Sequence, residues 1–260
     1  MPIRPFAALP LLAALAAGPS ASADDPKPTL PPKEKLRVFL LIGQSNMAGR
    51  GRPEAVDKTP HPRVLMLDKA GAWVPAAEPL HFDKPAVAGV GPGFAFGRAA
   101  AEALPDATIG LVPCAVGGSS IDQWKKGGSL RGEALRRAKI ALRDGTLAGI
   151  LWHQGESDAL PERTAAYKEK ALALFAELRR ELDAPEVPVV VGTLGDFVRK
   201  GGAINEVLRA LPKDLPRSAC ADAKGLADKG DKLHFSAEAA RELGRRYFEE
   251  WHKLDKAAGR

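Results

Sequence analysis

Ser45, Asp231 and His234 are the side chains in this sequence best suited to act together as nucleophile, orienting acid and general base. A serine hydroxyl is a weak nucleophile at neutral pH and needs a base within hydrogen-bonding reach. An imidazole can be that base if a carboxylate fixes its tautomer and stabilises the imidazolium that forms. Asp231 stands three residues before His234, so one local turn can carry both. Glu156 is the rival acid, since a longer side chain from a neighbouring loop could reach the same ring. The chemistry this set permits is acyl transfer through a covalent serine intermediate. The bland alternatives are that Ser45 or Asn46 caps the segment after a strand, and that His234 is a surface or helix-capping residue. His61, His81, His153 and His252 lack a comparable partner. His153 follows Trp152 at the end of an apolar run and reads as structural.

A tetrahedral oxyanion needs donors that do not titrate, and side-chain amides are scarce here: Asn46, Asn205, Gln44, Gln123 and Gln154 are all of them. Four of these five, all but Asn205, fall in three short polar stretches. The first is Gly43-Gln44-Ser45-Asn46-Met47. The second is Cys114 to Trp124, which contains Gly117 and Gly118. The third is His153-Gln154-Gly155-Glu156-Ser157-Asp158.

The elements that must position these stretches follow from hydropathy. Val38 to Ile42 is a continuous apolar run, as expected of a strand buried on both faces of a parallel sheet. Similar runs at 63–67, 108–112, 147–152 and 187–191 predict four more strands, with a brief extended piece near 218–221. Helical spacing is read over 93–104, 130–143, 164–182, 203–211 and from Ser236 to about Trp251. Strands alternating with helices imply one three-layer α/β domain around a parallel sheet of five strands or slightly more. Each polar stretch then sits at a strand's carboxyl end, where open α/β sheets bind ligands. The stretch from Asp68 to Pro92 reads as a long irregular loop.

Composition bounds the rest. The chain has 260 residues, a formal net charge of +6 and two cysteines, a balance that suits one large domain. Arg4, an Ala/Leu-rich run from Phe6 to Ala17 and Ala21-Ser22-Ala23 form a signal-peptide layout. The expected division is therefore a cleaved leader over 1–23, a Pro- and Lys-rich lead-in over 24–35 and a single domain over 36–260, with the product secreted or periplasmic. No later stretch is apolar enough to span a bilayer. Basic side chains are interspersed with acidic ones, as on solvated helix faces, which argues against a nucleic-acid track. Cys114 and Cys220 are read as free thiols, a bridge being the minority reading. No metal-ligand pairing and no phosphate-binding Gly-rich loop is present, so neither a metal nor another cofactor is expected. Met47 stands where a Gly-x-Ser-x-Gly elbow needs its second glycine, which argues against an α/β-hydrolase.

Gly43-Gln44-Ser45-Asn46-Met47, Gly117-Gly118, the His153 to Asp158 stretch and Asp231-x-x-His234 together resemble the sialate O-acetylesterase-like branch of the SGNH hydrolases. That branch also holds the acetylxylan esterases of carbohydrate esterase family six. The four motifs span about Arg37 to the C-terminus. The resemblance implies a flavodoxin-like fold and metal-free removal of acetyl groups from sugars. Ser45 would be the nucleophile, His234 the base and Asp231 its orienting acid. The oxyanion hole would use the Ser45 N–H, a Gly117 or Gly118 N–H and the Gln154 amide. Many SGNH members carry Asn at the Gln154 position. Gln44 and Asn46 are read as substrate contacts. Trp124 could offer a sugar a stacking face, or could belong to the core beneath its loop. The expected partner is an acetylated carbohydrate, acetylxylan or a related sugar. A sialate O-acetylesterase, a general small-ester hydrolase, and a carbohydrate-binding module on an inactive hydrolase fold are the alternatives.

Overall fold

The structure, a computed structural model, describes residues 28–259; the expected leader and residues 24–27 of the lead-in lie outside them. Leu36–Gly43 forms β1, the central strand. Its alternation sends Val38, Leu40 and Ile42 into one apolar core and Phe39 and Leu41 into the other, all fully buried. Both faces of the strand are therefore covered, which is why its sequence reads as an unbroken apolar run rather than an alternating one.

The remaining strands are β2 (Val64–Leu67), β3 (Trp73–Pro75), β4 (Thr108–Pro113), β5 (Thr146–His153), β6 (Val189–Gly192) and β7 (Ser218–Ala221). They make one seven-stranded sheet in the order β3-β2-β4-β1-β5-β6-β7. All pairings are parallel except that of β3, which runs antiparallel to β2 at the edge. The sheet thus has the five expected strands and two short edge strands besides. The extended piece near 218–221 pairs fully with β6, and β3 emerges from within the supposedly irregular stretch after Asp68. Three residues of strand carry too little periodicity to be read locally; pairing with β2 specifies them.

Helices cover both faces. One core packs α4 (Ser129–Ala141), α5 (Pro161–Glu181) and α6 (Gly202–Ala210) against the sheet. The other packs the short α1 (Ser45–Ala48), α3 (Pro92–Ala103) and α7 (Ala237–Lys256), while α2 (Ala55–Lys58) is a single turn before β2. In α7, Ala240, Leu243, Tyr247 and Trp251 recur at helical spacing and are buried. Ser236 starts the helix by accepting the Ala239 N–H at 3.1 Å, a cap that stabilises by about 1 kcal/mol. Trp251 meets Phe39 edge-on at 5.0 Å, and Phe39 meets Phe96 at 4.8 Å. These rings join α7, β1 and α3, and each buried ring of this kind is worth about 1.5–3 kcal/mol in burial alone. Cys114 and Cys220 are free thiols, and burial pushes both up to about 12. Among the described residues no helix is long and apolar enough to cross a membrane.

The order places β4, β1 and β5 side by side at the centre, with the chain departing from β1 in both directions. Such a switch point opens a crevice at the strands' carboxyl ends. The three polar stretches follow these three strands.

Candidate active site

Ser45 opens α1, immediately beyond the tip of β1. The turn is possible because Gly43, at φ +129°, has no side chain: a Cβ there would lie 2.1 Å from the His153 carbonyl oxygen. The close approach lets the Gln44 N–H donate to that carbonyl at 2.9 Å, which ties the serine turn to the end of β5.

Ser45 Oγ lies 3.0 Å from His234 Nε2, and His234 Nδ1 lies 2.8 Å from Asp231 Oδ2. A carboxylate can only accept, so Nδ1 carries the ring's proton and the bare Nε2 accepts from the serine hydroxyl. The sequence-predicted trio is therefore brought together in one line across 189 residues of chain. Local bonds hold the loop: Asp231 Oδ1 accepts the N–H groups of Leu233 and His234 at 3.0 and 2.8 Å, and Asp228 Oδ2 accepts those of Gly230 and Lys232. Burial would raise the Asp231 carboxyl, but the His234 N–H, the His234 ring and the Leu233 N–H hold it far below the usual carboxylate range.

Asn46, expected to meet substrate, is buried and holds the histidine loop. Its Nδ2 donates to Leu233 O at 3.0 Å and Glu156 Oε1 at 2.5 Å, and its Oδ1 accepts the Phe235 N–H at 3.1 Å. It thus grips the chain on both sides of His234, and both of its amide hydrogens are committed. Glu156, the rival acid, is spent on this bond. Its pKa is raised, chiefly by burial, with the Asn46 bond opposing. Asp231, not Glu156, contacts the His234 ring.

Gln154 was expected to aim its amide at an oxyanion, and the structure corrects this. Its side chain is fully buried, and the two hydrogens of Nε2 are shared among Asp158 Oδ2 at 2.6 Å, Ser119 O at 3.0 Å and Gln44 Oε1 at 3.1 Å. The cause is Asp158, one helical turn further on: its charged oxygen is the strongest acceptor in reach. Because Gln44 Oε1 accepts from Gln154, the NH₂ end of Gln44 is the end left over. Among the described residues it has no acceptor, and Gln44 lines the cleft beside Ser45.

Trp124 likewise has no stacking face. It is fully buried, edge-on to Trp152 at 5.4 Å, with Nε1 donating to Ser119 Oγ at 3.1 Å. The core reading of that residue is the one the packing supports.

Gly117 and Gly118 line the same cleft as Ser45, a space of about 470 Å³ that also takes in His234, Lys84, Val87, Lys229 and Leu233. The two glycines differ. The Gly117 N–H donates to Asp83 Oδ2 at 2.7 Å, whereas the Gly118 N–H, like that of Ser45, has no acceptor among the described residues. Asp83 also pairs with Arg50 Nη2 at 2.8 Å. Neither Asp83 nor Arg50 was singled out from sequence; Asp83 sits in the stretch read as irregular. His153 is fully buried. Since Tyr247 donates its hydroxyl hydrogen to Trp152 O at 2.6 Å, His153 Nδ1 must donate to Tyr247 at 3.1 Å, and burial pulls this imidazole down to about 3. Among the described residues no cluster of His, Cys, Asp or Glu could hold a metal ion.

Fold and cleft define a three-layer α/β protein with a serine, a histidine and an aspartate in line at its crevice, and comparison with known proteins narrows this. A sequence model of the family described as carbohydrate esterase, sialic acid-specific acetylesterase, matches residues 35–253, and the chain belongs to that family. It is 36% identical over 252 residues to an Arabidopsis thaliana protein named "Probable carbohydrate esterase", covering 87% of this chain and 95% of the relative. The X-ray structure of that plant protein superposes with a TM-score of 0.76 at 33% identity, over 86% of this chain and 99% of the other. The crystal structure of NanS, at 19% identity and a TM-score of 0.70, covers 88% of this chain and all of its own and shares the fold. The chain is thus a carboxylic ester hydrolase of the carbohydrate esterases.

Proposed function

We propose that the protein removes O-acetyl groups from carbohydrates, acetylxylan or a related acetylated sugar, through an acetyl-enzyme on Ser45. The observation that carries this reading is the unbroken line from Ser45 Oγ through the His234 ring to Asp231, at 3.0 and 2.8 Å. As Oγ bonds to the ester carbonyl carbon, its proton passes to His234 Nε2 and the carbonyl π electrons move onto oxygen. The Ser45 and Gly118 N–H groups and the Gln44 NH₂ receive that oxyanion. Collapse re-forms the carbonyl and breaks the bond to the sugar oxygen, which leaves with the proton from Nε2. Water, deprotonated by the same nitrogen, then releases acetate and restores the serine. The cleft of about 470 Å³ is far larger than an acetyl group requires, which leaves room for a sugar-sized leaving group. Export to the periplasm or beyond, with the mature chain starting near Asp24, accords with the leader-like composition of residues 1–23.

Ser45→Ala should lower kcat by at least about 10⁴-fold with an unchanged thermal midpoint. Acetate release would be measured on acetylxylan, O-acetylated sialic acid, acetylated monosaccharides and an aryl acetate. A variant retaining most of its turnover sinks the mechanism. A wild-type enzyme that cleaves the aryl acetate but none of the sugars sinks the substrate class.

A further inference from the structure

Arg50 and Asp83 form a buried ion pair against the oxyanion side of the cleft, with side-chain exposures of 5% and 2%. The pair joins three segments that are distant in sequence. Arg50 Nη1 donates to Gly49 O at 2.6 Å, at the end of the helical turn that Ser45 begins. Asp83 Oδ2 accepts Arg50 Nη2 at 2.8 Å and the Gly117 N–H at 2.7 Å. The fit is close on every side: a Cβ on Gly117 would stand 2.4 Å from Arg50 Nη2, 3.0 Å from Asp83 Oδ2 and 3.5 Å from Ser45 Cβ. Little more than the Gly117 backbone separates the carboxylate from the nucleophile.

Two consequences follow from this placement. The Gly117 N–H is not free to receive an oxyanion, so the role falls to the next peptide, Gly118, whose orientation is set by the Gly117 anchor. In addition, a carboxylate beside a developing oxyanion opposes it, because like charges repel strongly where water is excluded. Arg50 is the only cation in ion-pair contact with Asp83 among the described residues, and Asp83 Oδ1 is buried without a partner. Neutralisation therefore rests on one guanidinium, which itself lines the cleft.

We propose that Arg50 and Asp83 are positioning residues for the oxyanion hole: Asp83 anchors the Gly117–Gly118 peptide so that the Gly118 N–H faces the reacting carbonyl, and Arg50 cancels the charge this anchor introduces. The proposal rests on acyl transfer at Ser45 and deepens it.

The test is steady-state kinetics on the full-length enzyme with an acetylated sugar it turns over, read as kcat and KM separately alongside thermal midpoints. Arg50→Met should lower kcat by about 10²-fold, the scale of losing one oxyanion donor, with KM within about threefold of wild type. Adding Asp83→Asn to Arg50→Met should recover about tenfold in kcat, because the carboxylate's charge is gone while an oxygen remains for the Gly117 N–H. Among single variants, Asp83→Asn should keep kcat within about tenfold, and the isosteric Asp83→Leu, with no acceptor, should fall about 10²-fold. This second comparison still decides the matter if Arg50→Met does not fold. The proposal is overturned if the double variant is no more active than Arg50→Met, or if Asp83→Asn and Asp83→Leu have the same kcat. Ser45→Ala separates the two levels of failure: if it remains active, acyl transfer at Ser45 is wrong; if it is inert while the Asn and Leu variants match, only the positioning pair is wrong.

Discussion

The two sides of Ser45 are built in opposite ways. On the base side, Asp231 and His234 lie in one short loop whose backbone is folded by its own aspartates, and the working groups stay partly open to solvent, with Asp231 37% exposed. On the oxyanion side, Arg50, Asp83, the loop of Gly117 and Ser119, and the stretch of Gln154 and Asp158 come from four segments and meet in buried hydrogen-bonded groups. Under the proposed mechanism, the difference follows from the tasks. A general base must gain and lose a proton each turnover, so it needs water nearby and one well-held tautomer. An oxyanion hole must not reorganise at all, and rigid donors are best held by buried, fully committed partners. Asn46 is where the two constructions touch, since it binds Glu156 on one side and the chain around His234 on the other.

Exchanging the carboxylates is the hardest test of that division. Asp231→Asn leaves His234 free to adopt the wrong tautomer, a defect worth about 10⁴-fold in kcat in the serine-protease precedent. Glu156→Gln keeps an oxygen for the Asn46 amide, so it should cost about tenfold in kcat, through a loosened Asn46. KM should change little in either case. Acetate-release kinetics at neutral pH on the two purified variants would decide. A larger kcat loss for Glu156→Gln, in a protein of unchanged thermal midpoint, would mean that the acid is supplied from the buried side.

The same division explains what could be read from the sequence. The Asp231–His234 spacing was legible because three residues of chain fix its geometry, and β1 was legible because an apolar run buried on both sides has no other good use. Asp83 was not legible: it lies in a stretch whose order comes from contacts with Gly49, Gly117 and β2, none of which has a local signature. The Gln154 amide was misassigned for a related reason. An amide at a strand tip looks like a donor for substrate until a neighbouring carboxylate, here Asp158, is seen to claim it. Asn46 was misread, and Trp124 stayed open between cleft and core, because residue type and proximity to the site say nothing about which way a side chain is drawn. At the sheet's edges, β7 was legible only as a brief extended piece and β3 not at all, because strands of four and three residues are too short to show periodicity.

A second contrast lies between two histidines, His234 in the cleft and His153 beneath the buried network. Burial lowers His153 from 6.5 to about 3, so below pH 6.5 the unfolded chain takes up a proton that the folded one refuses. Its contribution to stability is full above pH 6.5 and is lost as pH falls, at about 1.4 kcal/mol per pH unit. His81, lowered to about 4 by burial, acts in the same sense. Glu78, raised by burial from 4.5 to about 8, acts oppositely, favouring the fold as pH falls towards 4.5. Between pH 6 and 5 Glu78 offsets one of these two histidines in the net slope, and Glu156, also raised by burial, acts in the same sense as Glu78. His153→Gln, which keeps a donor for the Tyr247 hydroxyl, should flatten that slope by about 1.4 kcal/mol per unit while leaving the shape of the kcat–pH profile unchanged. Urea unfolding at pH 5, 5.5 and 6 reads the slope. Equal slopes in variant and wild type would mean that His153 is protonated in the fold and belongs with the exposed side.

The smallest expected effect concerns Trp124, which tests whether the buried side reaches the substrate directly. Its indole donates to Ser119 Oγ, and Ser119 O in turn accepts from Gln154, so the ring is the outermost support of the network rather than a wall of the cleft. Trp124→Phe keeps most of the edge-on packing against Trp152 and removes the N–H. Ser119 Oγ retains only its bond to Gly43 O at 3.3 Å, and the lost buried hydrogen bond should cost about 1–2 kcal/mol of stability. Because the support acts on the side chain of Ser119 rather than on a donor to the oxyanion, kcat should stay within about threefold of wild type. KM should be unchanged for both an acetylated polysaccharide and an aryl acetate. A ring that stacked on sugar would behave differently: its replacement would raise KM for the polysaccharide alone, at constant stability. Parallel KM measurements with the two substrates, beside a urea midpoint, separate these outcomes. A rise confined to the polysaccharide would place Trp124 in the cleft and break the separation between the buried network and the substrate.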